Sequence, residues 1–250
     1  MKHFAIAIAI AALTAGCTEE PEEQLPQTPV SFGFPVADPM LIDGSIGVDH
    51  DPVVQAGGAG GAICTSYDGR LFPWCYDEHN GTDYILKDGF ETMDAGSTGV
   101  IAAAAGTVIE AHDGEYDRCH LDDGAVSCDG FPMIANRVVI EHESGIITRY
   151  WHLKKDTVAV TVGQQVACGE FLGLVGSSGL SSLPHLHFEL KVDDVVVDPY
   201  SGEHSQDESW WDEQNGPEEL PGPGCTGSSA AFRSALANRR ELAARTGIAN

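Results

Sequence analysis

The chain has 250 residues, and 42% of them are hydrophobic, which is enough to form the core of at least one domain. Its 13 Lys and Arg against 38 Asp and Glu give a formal net charge of -25. Binding to nucleic acid needs clustered cations that meet the phosphates, so this charge argues against a nucleic-acid partner. The acidity is typical of a solvated surface that keeps a protein soluble.

Residues 1–16 have the features of an export signal. Lys2 precedes an apolar stretch too short to cross a bilayer, and small residues lead up to Cys17. Ala15-Gly16-Cys17 resembles the lipobox of bacterial lipoproteins, although Thr14 stands where Leu is usual, so cleavage by ordinary signal peptidase stays open. We therefore expect an exported protein of the cell envelope, attached to the membrane through a lipid on Cys17 in the periplasm or at the outer membrane, or otherwise secreted.

The stretch that follows, residues 17–40, is rich in Glu, Pro and Gln. This composition predicts a flexible linker that lies outside the core.

Six cysteines remain when Cys17 is set aside. An even number in an exported chain predicts disulfides, although the count alone does not fix the pairing. A zinc-binding cysteine cluster is the alternative, and it is disfavoured because the chain has no Cys-x-x-Cys pair. Proximity in sequence favours Cys64 with Cys75 and Cys119 with Cys128, which leaves Cys168 with Cys225.

Short apolar runs separated by glycine begin at Val100 and predict a mainly β fold, a barrel or a sandwich of short strands. The residues between Asp113 and Pro132 are predicted to form a loop stapled by Cys119 and Cys128. The predicted strands are Val100–Ala103, Thr107–Glu110, Arg137–Glu141, Ile146–Trp151, Val158–Val162, Phe171–Val175 and His185–Val192.

The C-terminal part of the chain, residues 201–250, is predicted to be an acidic linker followed by a helix. Gly202 to Gly224 is acidic and rich in Pro and Gly, whereas Ser228 to Arg245 has the Ala, Leu, Arg and Glu content of an amphipathic helix.

His185 and His187 lie two residues apart on a predicted strand, so their side chains share one face. Without further ligands elsewhere in the chain, two histidines on an exposed strand face with no functional role would be at least as likely as a metal or proton-transfer site. Such ligands are available upstream, because His79 and Asp83 offer the nitrogen and oxygen that zinc accepts, and Gly81 between them lets the backbone bend. Three protein ligands leave a fourth position for water, which is the arrangement of a catalytic zinc site.

Several motifs in order resemble the LytM/lysostaphin family of zinc metallopeptidases, which cleave peptide cross-links in bacterial peptidoglycan. The resemblance spans about residues 76–200 and leaves residues 41–75 as an N-terminal extension. The matching motifs are His79-Asn80-Gly81-Thr82-Asp83, Gly99 to Val108, Asn136 to His142, Gly145 to Leu153, Val162 to Val166, Gly169 to Gly173, Gly176-Ser177-Ser178-Gly179, and Pro184 to Glu189.

The resemblance implies a short-stranded antiparallel β-sheet of the barrel-sandwich hybrid type, with zinc held by His79, Asp83 and His187. It places His152 and His185 beside the metal as the catalytic histidines, and it implies peptidoglycan stem peptides as the substrate. Strand alternation, by contrast, predicts that Trp151 and Phe188 are core residues, while Tyr150 is a candidate for lining the groove.

Two other functions are compatible with the same residues. A non-catalytic module of this fold would bind peptidoglycan or activate an amidase, and a peptidase of this type could act on proteins outside the cell wall. The complete set of candidate ligands favours the enzyme over the non-catalytic module.

Overall fold

The structure is a computed structural model that describes residues 30–54 and 60–225. The predicted export signal, Cys17 and the predicted C-terminal helix lie outside these residues. No helix in the described ranges is both long enough and apolar enough to cross a bilayer.

The described part of the chain is mainly antiparallel β-structure, which confirms the predicted fold class. One α-helix, α1 (Phe90–Ala95), and two 3₁₀ turns accompany the strands. The strands in chain order are β1 (Ile42–Ile46), β2 (Thr82–Leu86), β3 (Gly99–Ile101), β4 (Gly106–His112), β5 (His120–Asp122), β6 (Ala125–Ser127), β7 (Arg137–Glu141), β8 (Ile146–Trp151), β9 (Gln165–Val166), β10 (Phe171–Leu174), β11 (His185–Val192) and β12 (Val195–Val197).

The main sheet has eight strands in the order β1-β2-β11-β8-β7-β4-β9, with β12 paired to β11. Strands β3 and β10 form a separate two-stranded sheet, and β5 and β6 form a hairpin. Because side chains alternate along a strand, the main sheet has two chemically different faces. Tyr150, Leu186 and Phe188 point into the core from one face. The opposite face carries the histidines of β11.

The predicted strand Val158–Val162 is absent, and this prediction is wrong. Val160 is buried and Val158 packs against the core, so the apolar residues of this segment serve packing without a strand ladder. The segment still contacts β10, through a hydrogen bond that the Ala159 N–H donates to the Leu172 carbonyl.

The prediction of a flexible linker outside the core is also wrong for residues 30–39. Phe32, Phe34 and Val36 are at most 2% exposed and belong to the main core. Burial of each of these side chains contributes roughly 1.5–3 kcal/mol, which is enough to hold a short segment against the domain.

Residues 201–225, the part of the predicted acidic linker that the structure describes, also lie against the domain. Trp211 is buried beside Phe188 and Tyr200, with ring centroids 5.5 Å from each. A parallel bridge joins Trp211 to Phe32, so the two ends of the described chain meet.

The three disulfides join the predicted partners, which confirms the pairing. The predicted loop between Asp113 and Pro132 contains the β5–β6 hairpin, and Cys119 and Cys128 close its base. The disulfides are Cys64–Cys75, Cys119–Cys128 and Cys168–Cys225.

Candidate metal centre

Three candidate ligands come together where β2 and β11 pair. Asp83 on β2 lies directly opposite His187 on β11 in the antiparallel register. His79 precedes β2, and a turn in which the His79 N–H donates to the Tyr76 carbonyl brings its ring over the same point. All three side chains are buried, although each is polar or charged.

The three ligand atoms form a compact triangle. His79 Nε2 lies 3.2 Å from Asp83 Oδ1 and 3.3 Å from His187 Nδ1. His187 Nδ1 lies 2.8 Å from Asp83 Oδ1. In a tetrahedral zinc site with ligands at about 2.0–2.1 Å, neighbouring ligand atoms are about 3.3 Å apart. The triangle therefore fits three corners of such a tetrahedron.

The chemistry of these donors also suits a cation. His79 Nδ1 lies 2.7 Å from the Gly47 carbonyl, which accepts its proton and leaves Nε2 with a lone pair that faces Asp83 and His187. Two nitrogens and one carboxylate oxygen are the ligands that catalytic zinc commonly takes. Within residues 30–54 and 60–225, this is the one group of His, Cys, Asp and Glu with ligand atoms close enough to share an ion.

His185 and His152 lie beside this triangle. His185 Nε2 is 3.4 Å from Asp83 Oδ1, and its Nδ1 donates to the Leu183 carbonyl at 2.7 Å. His152 Nδ1 donates to the Ser178 carbonyl at 2.6 Å, and the centroids of the His152 and His185 rings are 4.6 Å apart. Backbone carbonyls thus fix the tautomer of both rings and leave each Nε2 to accept or carry a proton.

The backbone of His152 adopts a left-handed conformation, with φ at +66°. This conformation is uncommon for residues with a Cβ, and it is found preferentially at functional sites. His152 follows Trp151, the last residue of β8, so the chain turns at His152 instead of continuing the strand.

The titration of these groups reflects their burial and their close packing. Burial alone would raise the pKa of Asp83, but the neighbouring His79, His185 and His187 outweigh it and hold the pKa well below its usual range. Burial, together with His185 and His187, lowers the pKa of His152 well below that of a free histidine. Burial would lower the pKa of His185 too, but the Asp83 carboxylate raises it overall.

Three further residues support the triangle, and the sequence motifs do not identify their roles. Tyr76 stacks on His79 at 4.0 Å between ring centroids, and its hydroxyl donates to Asp83 Oδ2 at 3.2 Å. Gly47, from the predicted N-terminal extension, supplies the carbonyl that orients His79. A Cβ at Gly81 would lie 2.6 Å from the His187 ring, so the reason for this glycine is lack of space and not the backbone bend that we expected.

Trp151 does not lie in the core, which contradicts the prediction. It lies opposite His187 in the register of β8 and β11 and therefore shares the open face with the histidines. Tyr150 points the other way and is fully buried, so it lines no groove, whereas Phe188 is a core residue as predicted.

The structure thus brings together all five predicted site residues, His79, Asp83, His152, His185 and His187, on one face of the sheet.

One protein-family profile and several known proteins are similar to this domain. The profile of peptidase family M23 matches residues 77–199. The peptidoglycan DD-endopeptidase ShyB of Vibrio cholerae is 34% identical over 130 residues, which are 52% of this chain and 23% of ShyB. The peptidoglycan DD-endopeptidase ShyA of the same organism is 35% identical over 114 residues, which are 46% of this chain and 20% of ShyA. The chain therefore spans less than a quarter of either relative.

Among solved structures, the catalytic domain of lysostaphin from Staphylococcus simulans is similar, with 25% identity and a TM-score of 0.35. The similarity covers 57% of this chain and 86% of the lysostaphin domain. The family match confirms the resemblance to LytM/lysostaphin peptidases that the ordered motifs indicate, and the chain thus carries a domain of peptidase family M23 in residues 77–199.

Proposed function

We propose that the protein is a zinc-dependent endopeptidase that hydrolyses peptide cross-links of bacterial peptidoglycan. The observation that carries this proposal is the buried triangle of His79, Asp83 and His187, with two further histidines fixed beside it. The match to peptidase family M23 and the similarity to two peptidoglycan DD-endopeptidases support both the reaction and the substrate class.

In this proposal His79 Nε2, Asp83 Oδ1 and His187 Nδ1 hold the metal. A bound zinc ion supplies Lewis-acid catalysis and makes water a better nucleophile near neutral pH. Asp83 contributes one negative charge to offset the charge of the cation, and Tyr76 holds the carboxylate in place from its other oxygen.

His152 and His185 supply the general acid and base. Each ring keeps its Nδ1 proton on a backbone carbonyl, so a proton can be taken up or released at Nε2. One of the two accepts the proton of the attacking water, and the leaving amine must receive a proton for the peptide bond to break. When its Nε2 is protonated, the other ring can donate a hydrogen bond to the negative charge that develops on the scissile carbonyl oxygen.

The proposed location is the cell envelope. Relatives named as peptidoglycan DD-endopeptidases support a protein that reaches the cell wall. Attachment through a lipid on Cys17 belongs to the same proposal, and Cys17 lies outside the described residues.

The test is digestion of purified sacculi by wild type, His187→Ala and His185→Ala, with bound zinc measured for each protein. We expect wild type to release muropeptides and both variants to lose most of this activity. Zinc content should fall for His187→Ala, because it removes a ligand, and should largely persist for His185→Ala. The exposed His204 provides a matched control, since His204→Ala should change neither quantity.

Equal muropeptide release by the wild type and both site variants would contradict an enzyme that works through this site. Binding of sacculi without any release by the wild type would favour a non-catalytic module of the same fold. Cleavage of exported proteins without any release from sacculi would favour a peptidase that acts outside the cell wall.

A further inference from the structure

The open face of the main sheet continues past the metal centre. Cross-strand pairing places His187 opposite Trp151 and Glu189 opposite Arg149. Side chains that face each other across an antiparallel pair lie on the same side of the sheet. Trp151 and Arg149 therefore form the floor of the surface that a substrate on the metal would touch.

These side chains form a connected row that starts at the candidate ligand. The Trp151 ring centroid lies 5.9 Å from that of His187, and the guanidinium carbon of Arg149 lies 5.9 Å from the Trp151 centroid. Arg149 Nη1 lies 3.3 Å from each oxygen of Glu189. Trp151 thus connects the metal centre to a fixed arginine.

Two N–H donors in this row are buried and have no hydrogen-bond partner within the described residues. They are the indole Nε1 of Trp151 and the guanidinium Nε of Arg149. Buried donors in folded proteins almost always have an acceptor, so a pair without one beside a reaction centre indicates a place for a ligand acceptor.

Arg137 lies one strand further along the same face, and in contrast to Arg149 its Nε has an acceptor within the protein. It lies opposite Trp151 in the pairing of β7 and β8. Its Nε donates to Glu110 at 2.8 Å, and its Nη1 donates to the Ala135 carbonyl at 3.0 Å. The Nε donor of Arg137 is thus occupied within the protein, whereas Arg149 Nε and Trp151 Nε1 have no partner within the described residues.

The local charge also favours an anion. Glu189 is buried and faces two cations, Arg149 at 3.3 Å and Lys191 at 3.6 Å. These three side chains carry two positive charges and one negative charge, in a chain whose formal net charge is -25. An acidic group on the substrate would find here an arginine that can bind it, because guanidinium groups match carboxylates in geometry.

We propose that Arg149 and Trp151 form a subsite for a carboxylate on the substrate residue that supplies the scissile nitrogen. This inference rests on the proposed peptidase function. A carboxylate on the α-carbon of that residue lies within about one residue length, roughly 3.6 Å, of the carbonyl that would be attacked, and Trp151 is the open-face neighbour of His187. A substrate whose main chain continues through an amide at that position has no negative charge to offer.

The test uses two cross-linked peptides that differ in one group, a free α-carboxylate or a primary carboxamide beside the scissile nitrogen. Wild type is expected to cleave the acid with at least about tenfold higher kcat/KM than the amide, which corresponds to about 1.4 kcal/mol. Trp151→Phe keeps an aromatic ring but removes the indole N–H together with the five-membered ring, and the double change Arg149→Gln with Glu189→Gln removes both charges. Both should bring the ratio of acid to amide towards one.

A second readout needs no turnover. The amine-side product peptide, as acid and as amide, is titrated into metal-depleted protein in a calorimeter. The acid should bind more tightly to wild type, and this preference should be lost in the two variants. Arg137→Gln is the matched control and should keep both preferences.

The outcomes separate the two proposals. Equal cleavage and equal binding of acid and amide by wild type would overturn the carboxylate subsite. A preference that persists in Trp151→Phe and in the double variant would overturn its assignment to these residues. Failure of wild type to cleave either peptide or sacculi would count against the peptidase function, while the calorimetric comparison would still decide the subsite.

Discussion

Tyr76 contacts two of the three candidate ligands at once. Its ring stacks on His79, and its hydroxyl donates to Asp83 Oδ2, the oxygen that does not face the other ligand atoms. A donor in this position fixes which carboxylate oxygen turns towards the metal. In the proposed metal centre, Tyr76 is therefore a positioning residue.

We predict that Tyr76→Phe lowers zinc affinity about tenfold, because partners of metal ligands typically contribute 10- to 100-fold. The affinity can be measured by competition with a chromophoric chelator. Tyr116→Phe is a suitable control, since Tyr116 stacks on Phe131 and its hydroxyl donates to Asp129, and neither residue belongs to the metal centre. Unchanged affinity in Tyr76→Phe would refute the positioning role.

Gly81 leaves no room for a side chain beside His187. A Cβ there would lie 2.6 Å from the His187 ring and 2.8 Å from the Phe188 carbonyl oxygen. We predict that Gly81→Ala displaces His187, lowers bound zinc and destabilises the fold by about 1–3 kcal/mol.

Gly44 on β1 provides the control for this substitution, because a Cβ at that position meets nothing within 4 Å. Zinc content and the midpoint of thermal unfolding would be measured for both variants. Similar behaviour of Gly81→Ala and Gly44→Ala would show that the close approach at Gly81 is unimportant.

The sequence pointed to four of the five candidate residues through the spacing of His79 and Asp83 and the His185–His187 pair, whereas His152 was a candidate only because of the resemblance to the family. The sequence did not indicate the roles of Gly47 and Tyr76. Gly47 acts through its carbonyl, which every residue type possesses, so no side-chain pattern could reveal it. Whether Arg149 Nε and Trp151 Nε1 have an acceptor depends on which side chains the neighbouring strands place beside them, and only the folded sheet shows this.

At the scale of elements, apolar runs in the sequence predict the central strands correctly, but they predict the other segments poorly. Strands β7, β8 and β11 are long and regular, and the sequence predicts each of them. Strand β1 contains Asp43, Gly44 and Ser45, so it lacks an apolar pattern, and it forms because β2 offers an edge with free backbone groups. The run Val158–Val162 shows the converse case, in which an apolar pattern serves packing alone.

Two of the disulfides close loops of very different length. Cys119 and Cys128 are 9 residues apart, whereas Cys168 and Cys225 are 57 apart. Because loop-closure entropy grows with length, replacing the longer pair by serines should cost about 4 kcal/mol of unfolding free energy and replacing the shorter about 2.5 kcal/mol. Denaturant unfolding of the two double variants measures both values, and the reverse order would contradict this account.

At the scale of the whole molecule, the domain is closed by segments from outside the family match. Phe32 and Trp211 come from the two ends of the described chain and meet in the core. The sequence gives little sign of this, because the flanking residues are rich in Pro, Glu and Gly, and a few buried aromatic residues outweigh that composition. The folded domain therefore extends in both directions beyond residues 77–199.

His142 makes the folding stability of this domain depend on pH. It is buried with its ring edge against Phe32, its Nδ1 is 2.8 Å from the Ala105 carbonyl, and its Nε2 is 2.8 Å from Thr148 Oγ1. Burial lowers the pKa of His142 below its ordinary value of 6.5, and the hydrogen bond to Ala105 only partly opposes this. The unfolded chain therefore binds a proton more readily than the folded protein does.

We predict that the stabilisation from neutral His142 is complete above pH 6.5 and is lost as the pH falls from there towards the lowered folded-state pKa. One such group contributes a slope of at most about 1.4 kcal/mol per pH unit. His142→Gln should therefore show a shallower loss of unfolding free energy below pH 6.5 than wild type. His204→Gln, at an exposed position, should keep the wild-type slope, and equal slopes for wild type and His142→Gln would contradict the assignment.

The central claim is that His79, Asp83 and His187 hold a zinc ion that hydrolyses peptidoglycan cross-links. Its most direct measurement is mass spectrometry of the muropeptides released from purified sacculi by the protein as isolated, after treatment with a chelator, and after zinc is added back. The account predicts release of cleaved cross-link products, their loss on chelation, and their return with zinc for wild type but not for His187→Ala. Equal release before and after chelation, or by His187→Ala, would contradict it.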